Sequence, residues 1–421
     1  MAPAYKISIL GKMNITQLQI QEQQLSLKRF PTNQFDKSLR AWDAADEYII
    51  DHVASTLDLQ SFTHIVIVND SFGALTCAMS KLAPNANISV FTDSYMSKCG
   101  IEQNLKGSNL DKNKVTIESS LDIDTLENKR ADLVLVKIPR TLAFIEYSLI
   151  ELNRVFGVDE EAKDKPPVFV AGAMVKLVTS SVMQILDETM VNTTTSLARK
   201  KARLIFSSFS KLKHRFSMPV NEVSDKALNF TLYNYPNVFC RDQVDIGARY
   251  MLKALPDITK PNQVIVDLGC GNGILGTSLL LQNKQNNMQA KLIFVDESYM
   301  AIASAKSTLF SSEADDESKE TAQFIVGHCL KEFANSHKSD IENGIDTVIC
   351  NPPFHQQNTV VDDIAWQMFS DAKNVLRPGG ELRIVGNRHL DHGAKLSKLF
   401  GGCKVIASDN KFVILSAIKP L

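Results

Sequence analysis

Gln263-Val264-Ile265-Val266-Asp267-Leu268-Gly269-Cys270-Gly271-Asn272-Gly273 runs from an apolar stretch into glycines at alternate positions, and Ile274-Leu275-Gly276-Thr277-Ser278-Leu279-Leu280 follows directly. The first stretch reads as a buried strand ending in an acid and the last as an apolar helix. The glycines between them let the backbone turn sharply and approach a ligand closely. About twenty residues on, Leu292-Ile293-Phe294-Val295 reads as a second strand ending at Asp296, where a carboxylate can accept both hydroxyls of an adenosine ribose. Strand, glycine loop, helix, strand and acid in this order predict an open, mostly parallel α/β sheet covered on both faces.

Two chemistries fit that loop. Gly271, Gly273 and Gly276 satisfy G-x-G-x-x-G, and Asp296 sits at the matching distance, so a nicotinamide-dinucleotide dehydrogenase is one candidate. Asp267 and Gly269 extend the loop to acidic-x-Gly-x-Gly-x-Gly, a pattern that resembles class I S-adenosylmethionine methyltransferases. The second candidate is favoured by Asn351-Pro352-Pro353-Phe354, which leaves the apolar run Thr347-Val348-Ile349-Cys350. The Asn side-chain oxygen and the Pro352 carbonyl can both accept from one NH2 group. The prolines donate nothing and fix that carbonyl, and Phe354 offers a face for a flat ring. An Asn-Pro pair is also an ordinary turn signal, and it is the glycine loop upstream that lends it chemistry. A dehydrogenase has no use for such a clamp, whereas an amino-group methyltransferase does.

The chain has 421 residues, enough for two domains of about 200 each, and the reading divides it into 1–215 and 216–421. At 44% hydrophobic and 22% charged it has the composition of a globular protein with ample core. No apolar run approaches the roughly 18 residues of a membrane span, and the N-terminal stretch lacks a signal peptide's cleavage pattern. The expectation is a cytoplasmic monomer without membrane contact. Seven cysteines with no Cys-x-x-Cys pair read as reduced thiols, and no metal site is expected. The net charge is −1, yet Arg199, Lys200, Lys201, Arg203, Lys211, Lys213 and Arg215 occur with no acid among them. Such a cluster can neutralise phosphates, or it can be a solvated basic surface. Ser311 to Glu320, rich in acids and serines, reads as a surface loop.

The same plan occurs twice. His64-Ile65-Val66-Ile67-Val68, Asn69-Asp70-Ser71-Phe72-Gly73 and an apolar helix from Ala74 lie 200 residues before the glycine loop. Phe91-Thr92-Asp93 falls opposite Phe294-Val295-Asp296, at an offset of 203. Val134 to Arg140 falls opposite Val348 to Phe354 at 214, and Asp43-Ala44-Ala45-Asp46-Glu47-Tyr48 opposite Asp245 to Tyr250 at 202. The first copy has lost two glycines, carries Lys137 where the second has Asn351, and Arg140 where the second has Phe354. It reads as a non-catalytic copy with a surface or buttressing role.

With these residues assembled, the chain resembles the bacterial ribosomal RNA (guanine-N2)-methyltransferases built from two tandem methyltransferase-like domains. The likeness runs from about Leu27 to Lys419. It is most specific at Asn351-Pro352-Pro353-Phe354-His355-Gln356-Gln357, Val238 to Tyr250, Asp296-Glu297-Ser298, Gly386-Asn387-Arg388-His389-Leu390, Ala41 to Tyr48 and Lys200-Lys201-Ala202-Arg203-Leu204. The resemblance implies a catalytic C-terminal domain, an N-terminal domain that assists RNA recognition, and two Rossmann-type folds. It implies S-adenosylmethionine as cofactor and a 23S ribosomal RNA guanine as substrate, with 16S as the alternative. Asp267, Gly269, Gly271, Asn272, Gly273 and Asp296 are the cofactor candidates. Asn351, Pro352, Pro353 and Phe354 are the catalytic ones, and the seven basic residues from Arg199 to Arg215 are the RNA candidates. Many relatives carry an acid after the third strand, for the adenine amino group. Here Gly327-His328-Cys329-Leu330 stands there, so backbone or apolar contacts are expected instead. The clamp alone does not separate guanine N2 from adenine N6, cytosine N4 or an amide. The roles of His355 and His389 stay open, as does a protein that keeps cofactor affinity without turnover.

Overall fold

The computed structural model describes residues 16–32, 39–158, 165–211, 218–283, 290–331, 333, 344–353 and 359–421. Phe354, His355, Lys213 and Arg215 lie outside the described residues. Each half carries a seven-stranded sheet. In the first the strands lie in the order Val115–Ser119, Asn87–Thr92, His64–Val68, Leu133–Lys137, Val168–Met174, Ala202–Ser208, Val191–Thr195. In the second the order is Gln323–Val326, Ala290–Asp296, Gln263–Leu268, Ile345–Cys350, Leu376–Asn387, Phe412–Ile418, Lys404–Ser408. In each, the first five strands are parallel, the sixth is antiparallel to both its neighbours and the edge strand again runs with the first five, so order and polarity are identical.

Strands buried on both faces need apolar side chains on both, which is why the inner ones read as unbroken apolar runs. Ile65 and Ile67 join one core while Val66 and Val68 join the other, on the opposite face. In the second half Ile265 and Val266 divide in the same way. At about 25 cal/mol per Å² of apolar surface, these paired cores are the main source of stability in each half.

The register revises one expectation. Val68 pairs with Phe91 and Leu268 with Val295. The N–H groups of Asn69 and Gly269 donate to the carbonyls of those same partners. The second strands are therefore related by 204 residues, not 203. Thr92, not Asp93, stands where Asp296 does, and Asp93-Ser94-Tyr95-Met96 stands opposite Glu297-Ser298-Tyr299-Met300. The other offsets hold: Val68 pairs with Val136 and Leu268 with Cys350, so Lys137 is the counterpart of Asn351.

One local expectation also changes. Ser311 to Glu320 is not all loop, because Asp315 caps a short helix, Asp316–Thr321, by accepting from the N–H of Ser318 at 2.8 Å. Arg377 to Gly380 forms a bulge within the fifth strand: Ile345 pairs with Leu376 and Thr347 with Glu381, and Gly379 has φ of 77°.

The halves meet through the turns after their second strands, about a local pseudo-twofold. Ser94 and Ser298 form an antiparallel bridge, with Tyr95 N donating to the Glu297 carbonyl at 2.8 Å and Tyr299 N to that of Asp93 at 3.1 Å. Each acid serves the other half's helix. Asp93 accepts from Met300 N at 2.7 Å and Ser298 Oγ at 2.7 Å, while Ser94 Oγ donates to Glu297 at 2.6 Å. A carboxylate at a helix N-terminus is favourable, and these two lie across the domain boundary. Burial pushes Glu297 up to about 7 and Asp93 up to about 6, against the hydrogen bonds from Ser94 and from Asn237 and Ser298 respectively.

Candidate active site

A cavity of about 450 Å³ opens on the carboxyl ends of the second sheet's strands. This is where ligands bind in open α/β folds, because helix N-termini and strand-end loops converge there. Gly269, Gly271 and Asn272 line it from the first loop, Asp296 from the second strand, and Asn351, Pro352 and Pro353 from the fourth. Gly271 has φ of 53°, and a Cβ there would face open space, so the backbone at that point is bare toward the cavity. Gly273 has a different task. It has φ of 76°, and its Cβ would stand 2.8 Å from Ala305 Cα, so only glycine lets the loop press on the helix Tyr299–Ser311.

Asp296 is held before any ligand arrives. One carboxylate oxygen accepts from Gly271 N at 2.9 Å and the other from Ser298 N at 3.0 Å. Burial raises its pKa, and those N–H groups pull it back. Its remaining lone pairs can accept ribose hydroxyls. Asp267, expected among the cofactor contacts, is not among the residues lining this cavity. It lies fully buried beneath the loop and accepts from Gly276 N at 2.9 Å, tying the helix start to the strand end. Burial, with the nearby Asp296 charge, pushes it up to about 7. Asn272 lines the cavity, but its side chain works inward, donating to Asn234 at 2.9 Å and accepting from Ile274 N at 3.3 Å.

At the fourth strand end, Asn351 Nδ2 donates to Asp245 Oδ2 at 2.9 Å. Asn351 Oδ1 is buried and has no hydrogen-bond partner among the described residues. The amide thus keeps its acceptor free beside Pro352, and a buried acceptor left unmade costs about 1–3 kcal/mol, which an incoming NH2 group would recover. In the first half the equivalent place is closed. Lys137 donates to Asp43 at 2.8 Å and Asp46 at 2.7 Å. Burial pushes Asp46 up to about 6 even with that cation beside it. Met300 packs with Phe144 and Tyr147 of the first half, while Met96, its counterpart, lines the cavity of the second.

The sequence pattern did not identify Asp245, Met96, Val238, Phe239, Met368 or Ile364 as lining residues. For Asp245 a signal existed, since its match to Asp43 was visible, but its pairing with Asn351 depends on folding. Gly327, His328 and Cys329 do line the cavity, after the third strand, without an acid among them.

Residues 15–211 match the model of the RLMG N-terminal domain and residues 229–416 that of the methyltransferase small domain. A ribosomal RNA large subunit methyltransferase G from Pseudoalteromonas translucida is 41% identical, over 96% of this chain and 98% of its own length. The chain belongs to the ribosomal RNA large subunit methyltransferase G family. A member from Colwellia psychrerythraea is 39% identical over 95% of this chain and 98% of its own. A solved T. thermophilus 16S rRNA N2 methyltransferase, in complex with AdoMet and guanosine, superposes with a TM-score of 0.69 at 18% identity. It covers 96% of this chain and 97% of its own, which shows the shared two-domain fold. The dinucleotide-dehydrogenase alternative finds no support in these likenesses.

The basic candidates are not all free. Arg199, Lys200 and Lys201 form a tight turn between the last two strands of the first sheet, with Lys200 and Lys201 at φ of 49° and 63°. Folding brings acids to them that lie far away in sequence: Arg199 pairs with Asp51 at 2.8 Å and Lys200 with Glu47 at 2.7 Å. Both stay substantially exposed, as do Lys201 and Lys211, while Arg203 is half-buried. No group of three or more potential metal-ligating side chains occurs among the described residues, and no described helix is long and apolar enough to cross a membrane.

Proposed function

We propose that the chain transfers a methyl group from S-adenosylmethionine to the exocyclic N2 amine of a specific guanine in 23S ribosomal RNA. The observation that carries this reading is the buried Asn351 Oδ1, without a partner among the described residues, beside Pro352 and in the same cavity as the glycine loop and Asp296. The cavity suits the cofactor: bare backbone at Gly271, a fixed ribose acceptor at Asp296 and apolar walls at Leu268, Ile274 and Val295. When bound there, S-adenosylmethionine supplies an activated methyl on a sulfonium with a neutral thioether as leaving group.

The protein's task is positioning. A guanine amino nitrogen is a poor nucleophile because its lone pair is delocalised into the ring. Accepting its two N–H groups at Asn351 Oδ1 and the Pro352 carbonyl favours a more tetrahedral nitrogen and aims its lone pair into the cavity. Phe354 follows directly and would stack the base, which must leave its helix to reach the site. The nitrogen sheds its proton after transfer, and water can take it. The first half, with Lys137 neutralised and its site filled, acts in docking: Arg199, Lys200, Lys201, Arg203, Lys211, Lys213 and Arg215 are the phosphate contacts. The relatives' large-subunit name favours 23S over 16S, and an enzyme of ribosomal RNA works in the cytoplasm, as a monomer in this reading.

Nucleoside analysis of ribosomal RNA from a deletion strain tests the proposal. One N2-methylguanosine should disappear from 23S RNA and return on incubation with purified protein and labelled cofactor. Intact 23S methylation in that strain would refute it.

A further inference from the structure

We propose that Asp245 is a positioning residue for the methyl acceptor, holding the Asn351 amide with its oxygen turned into the cavity; this deepens the amino-methylation reading and rests on it. An amide presents an oxygen on one side and NH2 on the other, and a half-turn exchanges them. With NH2 toward the cavity, Asn351 would oppose donor to donor against a base amino group. A carboxylate removes the ambiguity because it only accepts. Asp245 Oδ2 takes Asn351 Nδ2–H at 2.9 Å, and the reversed amide would set oxygen against oxygen there. The partner charge also polarises the amide, enriching Oδ1 as an acceptor.

Asp245 is itself fixed. It is the N-cap of the helix Ile246–Met251, and the same Oδ2 accepts from Ala248 N at 2.8 Å. The other half offers an independent view of the arrangement. Asp43, at the equivalent place, caps the helix Ala44–Thr56 and reaches Lys137, the counterpart of Asn351, at 2.8 Å. An N-cap acid against the fourth strand end is thus built into both copies. Where the strand end carries lysine, the contact closes the site; where it carries asparagine, it leaves a buried acceptor without a partner among the described residues at the cavity wall.

The test uses the full-length chain with ribosomal RNA and labelled cofactor. Asp245→Ser keeps a good helix cap but is too short to reach Asn351. Its kcat should fall at least about tenfold while the KM for cofactor stays within about threefold. Asp245→Asn can place its carbonyl oxygen at the Oδ2 position and keep both bonds, so kcat should remain within about threefold of the parent. A merely structural cap predicts the reverse emphasis, with the serine variant fully active. Wild-type kcat in Asp245→Ser, or an equal loss in Asp245→Asn, would overturn the proposal. Should the serine variant unfold, Asp245→Gly, which helix N-termini also tolerate, must show the same kcat loss. Unfolding of both would assign Asp245 to capping alone and overturn it too. A parent chain that methylates no RNA would instead refute the function beneath it.

Discussion

Replacing Asp93 by alanine removes the acid that the first half lends to the second. Three donors lose their acceptor: Met300 N at 2.7 Å, Ser298 Oγ at 2.7 Å and Asn237 Nδ2 at 2.8 Å. Hydrogen bonds to a charged group contribute about 1.5–3 kcal/mol each, but burying the carboxylate offsets part of that. A net loss of about 2 kcal/mol at pH 8 follows. The pH dependence is a sharper test. Burial raises Asp93 to about 6, against an ordinary value near 3.8. A carboxyl raised on folding stabilises most when protonated, and that stability is lost as pH climbs through the folded value. Linkage between these two values makes the contribution about 1.4 kcal/mol larger at pH 5 than at pH 8. Urea denaturation of parent and Asp93→Ala chains at both pH values measures it. The penalty should grow by that amount on acidification. A penalty that does not change with pH, or one below about 0.5 kcal/mol at pH 8, would refute the view of Asp93 as a buried cross-domain acceptor.

Asp296→Ala should weaken S-adenosylmethionine binding by about 1–3 kcal/mol by calorimetry, through lost charge-assisted hydrogen bonds and a freed Gly271 N–H. Asn351→Ala should abolish methyl transfer while cofactor affinity stays near that of the parent, since the acceptor for the amino group is gone and the glycine loop is intact. Lys137→Ala should spare the chemical step but destabilise the first half by roughly 3 kcal/mol, because it leaves Asp43 and Asp46 facing each other unpaired; cofactor titration should still find one site per chain. Replacing Lys200, Lys201 and Arg203 together by alanine should weaken RNA binding and flatten its salt dependence, read by filter binding across a salt series. The effect of Lys200 should be the smaller share, since Glu47 already neutralises part of its charge.

Much of the fold and part of the site were legible in order and spacing alone. Unbroken apolar runs ending in glycine, acid or Asn-Pro mark strands buried on both faces, and their recurrence some 200 residues apart reveals the duplication. Gly271, Asp296 and Asn351 are legible as candidates because each proposed role depends on residue type and on position at a strand end, and all three line one cavity. The offset of the second strand reads as 203 and is 204, because Thr92-Asp93 and Asp296-Glu297 offer two plausible matches and only ladder pairing selects one. Asp267 reads as a cofactor contact because sequence shows an acid at a strand end but not which way it faces. Folding turned it under the loop to Gly276. The basic run looked free of acids because Asp51 and Glu47 lie some 150 residues away along the chain, and helix packing brings them near. The same holds for Asp245 on Asn351 and for Asp93 on the helix Tyr299–Ser311. Local sequence determined which residues can do chemistry, through side-chain type and backbone freedom. Contacts between residues distant in the chain decided which way each one points and what neutralises it, because those depend on register and packing of whole elements.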